Sequence, residues 1–144
     1  MNNGKNIPLS VPVIQGNEWK YVKECLDAGW VSSVGEYVNK FEKSVAGYAG
    51  CNYAVATVNG TSALHVSLAS IGIQPGDEVI VPALTFVATA NVVRYCGAEP
   101  VFMDCDKETL CIDAGKTKDF LDNNTCKDSR GMTINKRTGR PVRA

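Results

Sequence analysis

Histidine is nearly missing from this sequence: His65 is the only one among 144 residues. No Cys-x-x-Cys pair is present either, so the ligand spacing of a zinc site is lacking and no metal is expected. There is no run of about 20 apolar residues, which excludes a transmembrane helix of ordinary length. The start, MNNGKNIP, has no apolar core of a signal peptide. A cytoplasmic location is the default expectation. Net charge is also absent, because 15 basic residues offset 15 acidic ones. No overall field therefore gathers a polyanion. Two phosphate-binding signatures are missing as well. No Gly-Lys-Ser/Thr follows a four-residue gap after glycine, and no G-x-G-x-x-G turn occurs.

What is present is globular. Apolar residues make up 44% and charged ones 21%. A chain of this length reads as one domain that buries roughly two-thirds of its unfolded surface. The six cysteines, Cys25, Cys51, Cys96, Cys105, Cys111 and Cys126, are widely spread and come without a secretion signal. They read as free, partly buried thiols.

Periodicity divides the chain into 1–50, 51–122 and 123–144. In the first part, Ile14–Ala28 reads as a helix with Trp19, Val22 and Leu26 on one face, stopped by Gly29. Glu36–Tyr48 reads as a second helix before Gly50. The middle part alternates. Tyr53–Val58, Glu78–Val81 and Glu99–Met103 read as buried strands. Thr61–Ile71, Thr85–Tyr95 and Asp113–Leu121 read as helices, with Thr85 as an N-cap. Strand–helix alternation with short links predicts an α/β fold with a mostly parallel sheet and flanking helices. In the last part, Met132–Ile134 and Pro141-Val142 flank a basic turn and predict a small hairpin. Lys127, Arg130, Lys136, Arg137, Arg140 and Arg143 stand there against one acid, Asp128. No aromatic residue is interleaved for base stacking, so the tail reads as a solvated excursion and no nucleic acid is expected.

Two junctions offer chemistry. Val58-Asn-Gly-Thr-Ser62 runs from a strand pattern into a helix start. Unpaired N–H groups and partial positive charge gather at such a start. Gly60 allows close approach, and Thr61 and Ser62 add hydroxyls, so phosphate fits the position. An ordinary capped helix answers the same pattern. The second junction follows the next strand, in Pro82-Ala-Leu-Thr-Phe86, where Phe86 is placed to stack on a flat ring or to pack in the core. Ligands of open parallel sheets bind beyond the carboxyl ends of the strands, and both junctions lie there. Together they point to a phosphorylated, planar ligand.

Four blocks carry a resemblance: AGWVSSVGEYVNKFE (28–42), NGTSALHVSL (59–68), PGDEVIVPALTFVATANVV (75–93) and GAEPVFMDCD (97–106). In this order they resemble the DegT/DnrJ/StrS family of sugar-nucleotide aminotransferases. The resemblance implies the N-terminal part of the large domain of the aspartate-aminotransferase-like fold, the fold type I of enzymes using pyridoxal 5′-phosphate (PLP). It implies that Gly60, Thr61 and Ser62 hold the cofactor phosphate, and that Phe86 stacks on the pyridine ring. It implies that the loop with Trp30, Ser32 and Ser33 borders a nucleotide-sugar substrate. Glutamate as amino donor and a homodimer are further implications. Asn59 departs from the Ser or Cys that more often precedes Gly-Thr. His65 and Asn91 read as helix-packing residues, and Asp104 and Asp106 as turn residues.

The resemblance also marks what these residues do not supply. The acid that pairs with the pyridine nitrogen and the Schiff-base lysine belong to segments after the third strand. No catalytic residue is therefore assigned here, and an N-terminal fragment, inactive alone, is expected. Its three strands are expected to leave a sheet edge open. The branch acting on UDP-4-keto-6-deoxy-N-acetylhexosamines, for bacterial surface glycans, looks nearest. A non-catalytic protein binding a phosphorylated ligand or a partner chain is the rival reading. A family dehydratase and a flavodoxin-like nucleotide binder are weaker ones.

Overall fold

A computed structural model describes residue 8 and residues 10–144. The stretch read for a leader therefore lies almost wholly outside the described residues. The chain divides into two compact units, Met1–Ala56 and Thr57–Ala144.

The first unit holds two helices. α1 spans Glu18–Asp27, four residues later at its start than the periodicity predicts. Asn17 stands at the N-cap without a side-chain bond. The Glu18 carboxylate instead accepts the N–H of Gly16 at 2.7 Å, which holds the residues before the helix in a bend. α2 spans Glu36–Ala49 and ends at Gly50, whose φ of 68° is the left-handed value that glycine adopts without steric cost. Tyr21 of α1 lies 5.0 Å from Tyr37 of α2, ring to ring. Trp19, Val22 and Leu26 nevertheless remain exposed, so their apolar stripe is uncovered.

The expected strand Tyr53–Val58 is not formed. The segment is irregular, and Tyr53, Val55 and Val58 are 88, 79 and 88% exposed. A β-branched apolar run forms a strand only when a neighbour satisfies its backbone. Among the described residues none pairs with it.

In the second unit, α3 (Gly60–Ser70) leads through the turn Gln74–Asp77 to β1 (Glu78–Pro82). The turn closes on itself: Asp77 N–H donates to Gln74 O at 3.1 Å, and Gln74 N–H donates to the Asp77 carboxylate at 2.8 Å. α4 (Ala88–Tyr95) then crosses to β2 (Glu99–Met103), which pairs with β1 in parallel, Glu78 opposite Glu99 and Pro82 opposite Met103. Gly97 makes the link possible. Its φ is 74°, and a Cβ there would lie 3.0 Å from Pro75 Cγ. Ile73, Val79, Val81, Val93 and Ala98 form the core, with Leu68 of α3 packed against it. A fully buried Val or Ile side chain contributes about 1.5–3 kcal/mol.

α4 begins three residues later than predicted, and Thr85 does not cap it. The Thr85 hydroxyl lies 2.9 Å from that of Thr89, and Val87 occupies the N-cap without a side-chain bond. After β2 a tight loop leads to α5 (Ala114–Asn124), capped by the Asp113 carboxylate on Lys116 N–H. β3 (Thr125–Lys127) and β4 (Thr133–Asn135) form an antiparallel pair. The predicted partner segment is present too, with Pro141 bridged to Ile134.

The tail is not a free excursion. Val142 bridges Glu78 in parallel, so residues 141–144 lie along the side of β1 away from β2. The tail covers that edge of β1, whereas among the described residues no strand pairs with the outer edge of β2, so one edge stays open as expected. All six cysteines are free; Cys25, Cys96 and Cys105 are half-buried, whereas Cys51, Cys111 and Cys126 are exposed. No helix among the described residues is long and apolar enough to cross a membrane.

The loop between β2 and α5 is held by two acids. The Asp104 carboxyl is pushed below its ordinary 3.8 by the Lys116 ammonium and then by the Cys105 N–H. Asp106 is lowered by the N–H and the hydroxyl of Thr109. A carboxyl whose folded pKa is depressed stabilises above its unfolded value and loses that contribution as pH falls through the folded one. The urea midpoint is therefore expected to fall below pH 3.8, with a shallower fall in Asp106→Asn. Identical acid profiles in the two proteins would remove the loop from the account.

Candidate functional site

The rim beyond the carboxyl end of β1 brings together three of the residues singled out from the sequence, Gly60, Thr61 and Phe86. The loop after β1 is fixed there because Ala83 N–H donates to Met103 O at the end of β2, at 2.7 Å. A concavity of about 530 Å³ is lined by Gly60, Thr61, Leu64, Phe86, Ala88 and Thr89, together with Ala63. Gly60, Thr61 and Phe86 are thus brought to one site from 26 residues apart in sequence. Phe86 is 79% exposed, so its ring is not spent on the core.

The space at Gly60 is open. A Cβ at this position would meet nothing within 4 Å, and its φ lies outside the left-handed region. Neither packing nor backbone strain within the chain asks for glycine. Open space directly before a helix start is what an approaching anion needs.

Ser62 is placed differently from Gly60 and Thr61. It does not line the concavity, and its N–H donates to the Asn59 side-chain oxygen at 2.8 Å. Asn59, with extended backbone, is the N-cap of α3. One of the helix-start N–H groups is therefore already satisfied. The N–H groups of Gly60 and Thr61 have no partner among the described residues. The cap was legible in the sequence, since Asn is among the preferred N-cap residues. Asn59→Ala is expected to destabilise the chain by about 1 kcal/mol. An unchanged urea midpoint would show the cap to be idle.

Trp30 and Ser32 line a separate concavity of about 440 Å³ within the first unit, and Ser33 does not line it. Glu24, Tyr37 and Lys40 line it as well. The Tyr37 hydroxyl donates to the Glu24 carboxylate, which pushes its pKa up to about 12. Tyr37 therefore stays a neutral donor at physiological pH. Lys40 pairs with Glu36 at 2.6 Å and stands 4.9 Å from the centre of the Tyr37 ring. The polar wall of Glu24, Tyr37 and Lys40 was missed, because these residues read only as helix surface.

His65 packs edge-on against Tyr95 at 5.8 Å between ring centres, joining α3 to α4. Asn91 is half-buried and does not line the rim concavity. Asp104 and Asp106 accept bonds within their own loop, as turn residues do. Among the described residues, no three of His, Cys, Asp and Glu gather in a way that could hold a metal ion.

Comparison with known proteins now gives the class. The model of the DegT/DnrJ/EryC1/StrS aminotransferase family matches residues 12–133. The chain belongs to that family. GDP-perosamine synthase from Caulobacter vibrioides is 49% identical over 121 residues, which are 84% of this chain and 33% of that protein. Among solved structures, the GDP-4-keto-6-deoxy-D-mannose-3-dehydratase of E. coli with bound hydrated PLP is 31% identical. Its TM-score is 0.70, over 79% of this chain and 31% of that one. The aminotransferase from Psychrobacter cryohalolentis is 39% identical at a TM-score of 0.65, over 71% and 26%. The chain spans about a third of the length of the curated relatives it matches. The fold is that of the PLP-dependent fold type I enzymes.

Proposed function

We propose that this chain forms the cofactor-phosphate and ring-stacking part of a PLP-dependent aminotransferase that aminates a nucleotide-linked keto-sugar. The observation that carries the reading is the single concavity lined by Gly60, Thr61 and Phe86. The Gly60 and Thr61 N–H groups and the Thr61 and Ser62 hydroxyls hold the phosphate. Phe86 would stack on the pyridine ring. When bound, PLP supplies the electron sink that amino-group transfer needs. Trp30, Ser32 and Ser33 border the sugar nucleotide. Glutamate is the amino donor, and the full-length protein is a cytoplasmic homodimer.

The keto-sugar of this reading is a UDP-4-keto-6-deoxy-N-acetylhexosamine, used for bacterial surface glycans. The branch is read from the sequence, in part from the basic insertion that begins at Lys127. A GDP-linked 4-keto-6-deoxyhexose is the second reading, favoured by the 49% identity to a GDP-perosamine synthase. Offering both nucleotides to the full-length protein decides between them.

The cofactor reading is tested on this chain with pyridoxine 5′-phosphate, which has no aldehyde to react with surface lysines. In residues 1–144 labelled with ¹³C and ¹⁵N, the amides of Gly60 and Thr61 and the ring carbons of Phe86 should shift. Pyridoxine without phosphate should leave them in place. Shifts confined to other residues would reject the site.

A further inference from the structure

We propose that Glu78, Asn135 and Thr138 form a polar clasp that sets the register in which residues 141–144 pair with β1. Glu78 is 2% exposed, an unusual place for a carboxylate at the start of a strand. Asn135 Nδ2 and Thr138 Oγ1 each donate to it at 2.7 Å, from 57 and 60 residues along the chain. Asn135 is itself 2% exposed. Its oxygen accepts Arg137 N–H at 3.0 Å and its backbone oxygen accepts Gly139 N–H at 2.8 Å, so the same residue folds the turn. The turn delivers the tail to β1. Glu78 N–H donates to Pro141 O at 2.7 Å, Arg143 N–H to Glu78 O at 2.9 Å, and Ile80 N–H to Ala144 O at 2.6 Å.

Within residues 141–144 the apolar pattern does not single out this register. Val142 is its one large apolar side chain between Pro141 and Ala144. A slip of two residues keeps every side chain on its own face, so burial hardly distinguishes the two pairings. The same slip would draw Asn135 and Thr138 away from Glu78 and leave a buried charge without donors, which is strongly unfavourable. The flanking ion pairs, Arg140 with Glu99 at 3.4 Å and Arg143 with Asp77 at 3.8 Å, are partly exposed and add little. The clasp is therefore the selective element. It sits at the end of the sheet opposite the rim of Gly60 and Phe86, and it does not depend on the cofactor reading.

Amide hydrogen exchange on residues 1–144 tests this. In Thr138→Val, exchange at Ile80 and Arg143 should speed by about tenfold while the β1–β2 ladder keeps its protection. Asn135→Leu should do the same more strongly. Should Asn135→Leu not fold, Thr138→Val alone decides. Unchanged exchange at Ile80 and Arg143, or equal loss across the whole sheet, would overturn the clasp.

Discussion

Purified residues 1–144, given PLP, glutamate and a keto-sugar nucleotide, will release no amino-sugar nucleotide. The reason lies in the lysines that these residues contain. A lysine that attacks a carbonyl must first lose its proton, and enzymes lower its pKa by burial or by neighbouring positive charge to allow this. For three of them the shift runs the other way. Lys116 is raised above 10.5 by its bond to Asp104, and Lys118 by its bond to Asp122. Lys40 is raised by Glu36. Each is an exposed ammonium held in its charged form. Tyr37, raised to about 12 by its bond to Glu24, cannot serve as a base in their place. Mass spectrometry of the reaction mixture over several hours is the measurement. Any product above a protein-free control would place the catalytic base within these residues and reject the division of labour proposed above. Binding of pyridoxine 5′-phosphate needs no lysine, so the two results are independent.

Local signals were the legible part of the fold. Gly50 ends α2 where the sequence places a stop, and Gln74–Asp77 forms the predicted turn. β1 and β2 carry enough β-branched and apolar residues, at one crossover's separation, to name each other as partners. What escaped the sequence was set by distant partners. Tyr53–Val58 has strand composition, but composition does not supply the neighbour that a strand needs. Thr85 has the right side chain for a cap, yet the chain turns once more before α4 starts, and its hydroxyl meets Thr89 instead. The polar tail looks like solvent-facing sequence because its purpose depends on a carboxylate 57 residues earlier. At the site, Gly60, Thr61 and Phe86 were readable as junction residues after strand patterns. The role of Asn59 was readable too, although the wall of Glu24, Tyr37 and Lys40 became visible only with both helices in place.

Gly60→Asp should separate folding from cofactor binding by moving them in opposite directions. Position 60 is open: a Cβ meets nothing within 4 Å, so the first atom of a side chain is accommodated without displacing any neighbour. A carboxylate in the first turn of α3 also meets the positive end of the helix dipole, which stabilises it by about 0.3–1 kcal/mol. The variant should therefore unfold at the same urea concentration as the parent or slightly above it. The phosphate would meet the reverse. Two anions would compete for the N–H groups of Gly60 and Thr61, in a site where Asn59 already holds the N–H of Ser62. In the full-length protein, PLP affinity should fall by at least about a hundredfold, a change of about 2.7 kcal/mol. Equilibrium dialysis measures the affinity, and urea unfolding of the cofactor-free protein measures the fold. Stability kept with affinity lost is the expected pair. If affinity survives the carboxylate, the phosphate binds elsewhere and the start of α3 is only a capped helix.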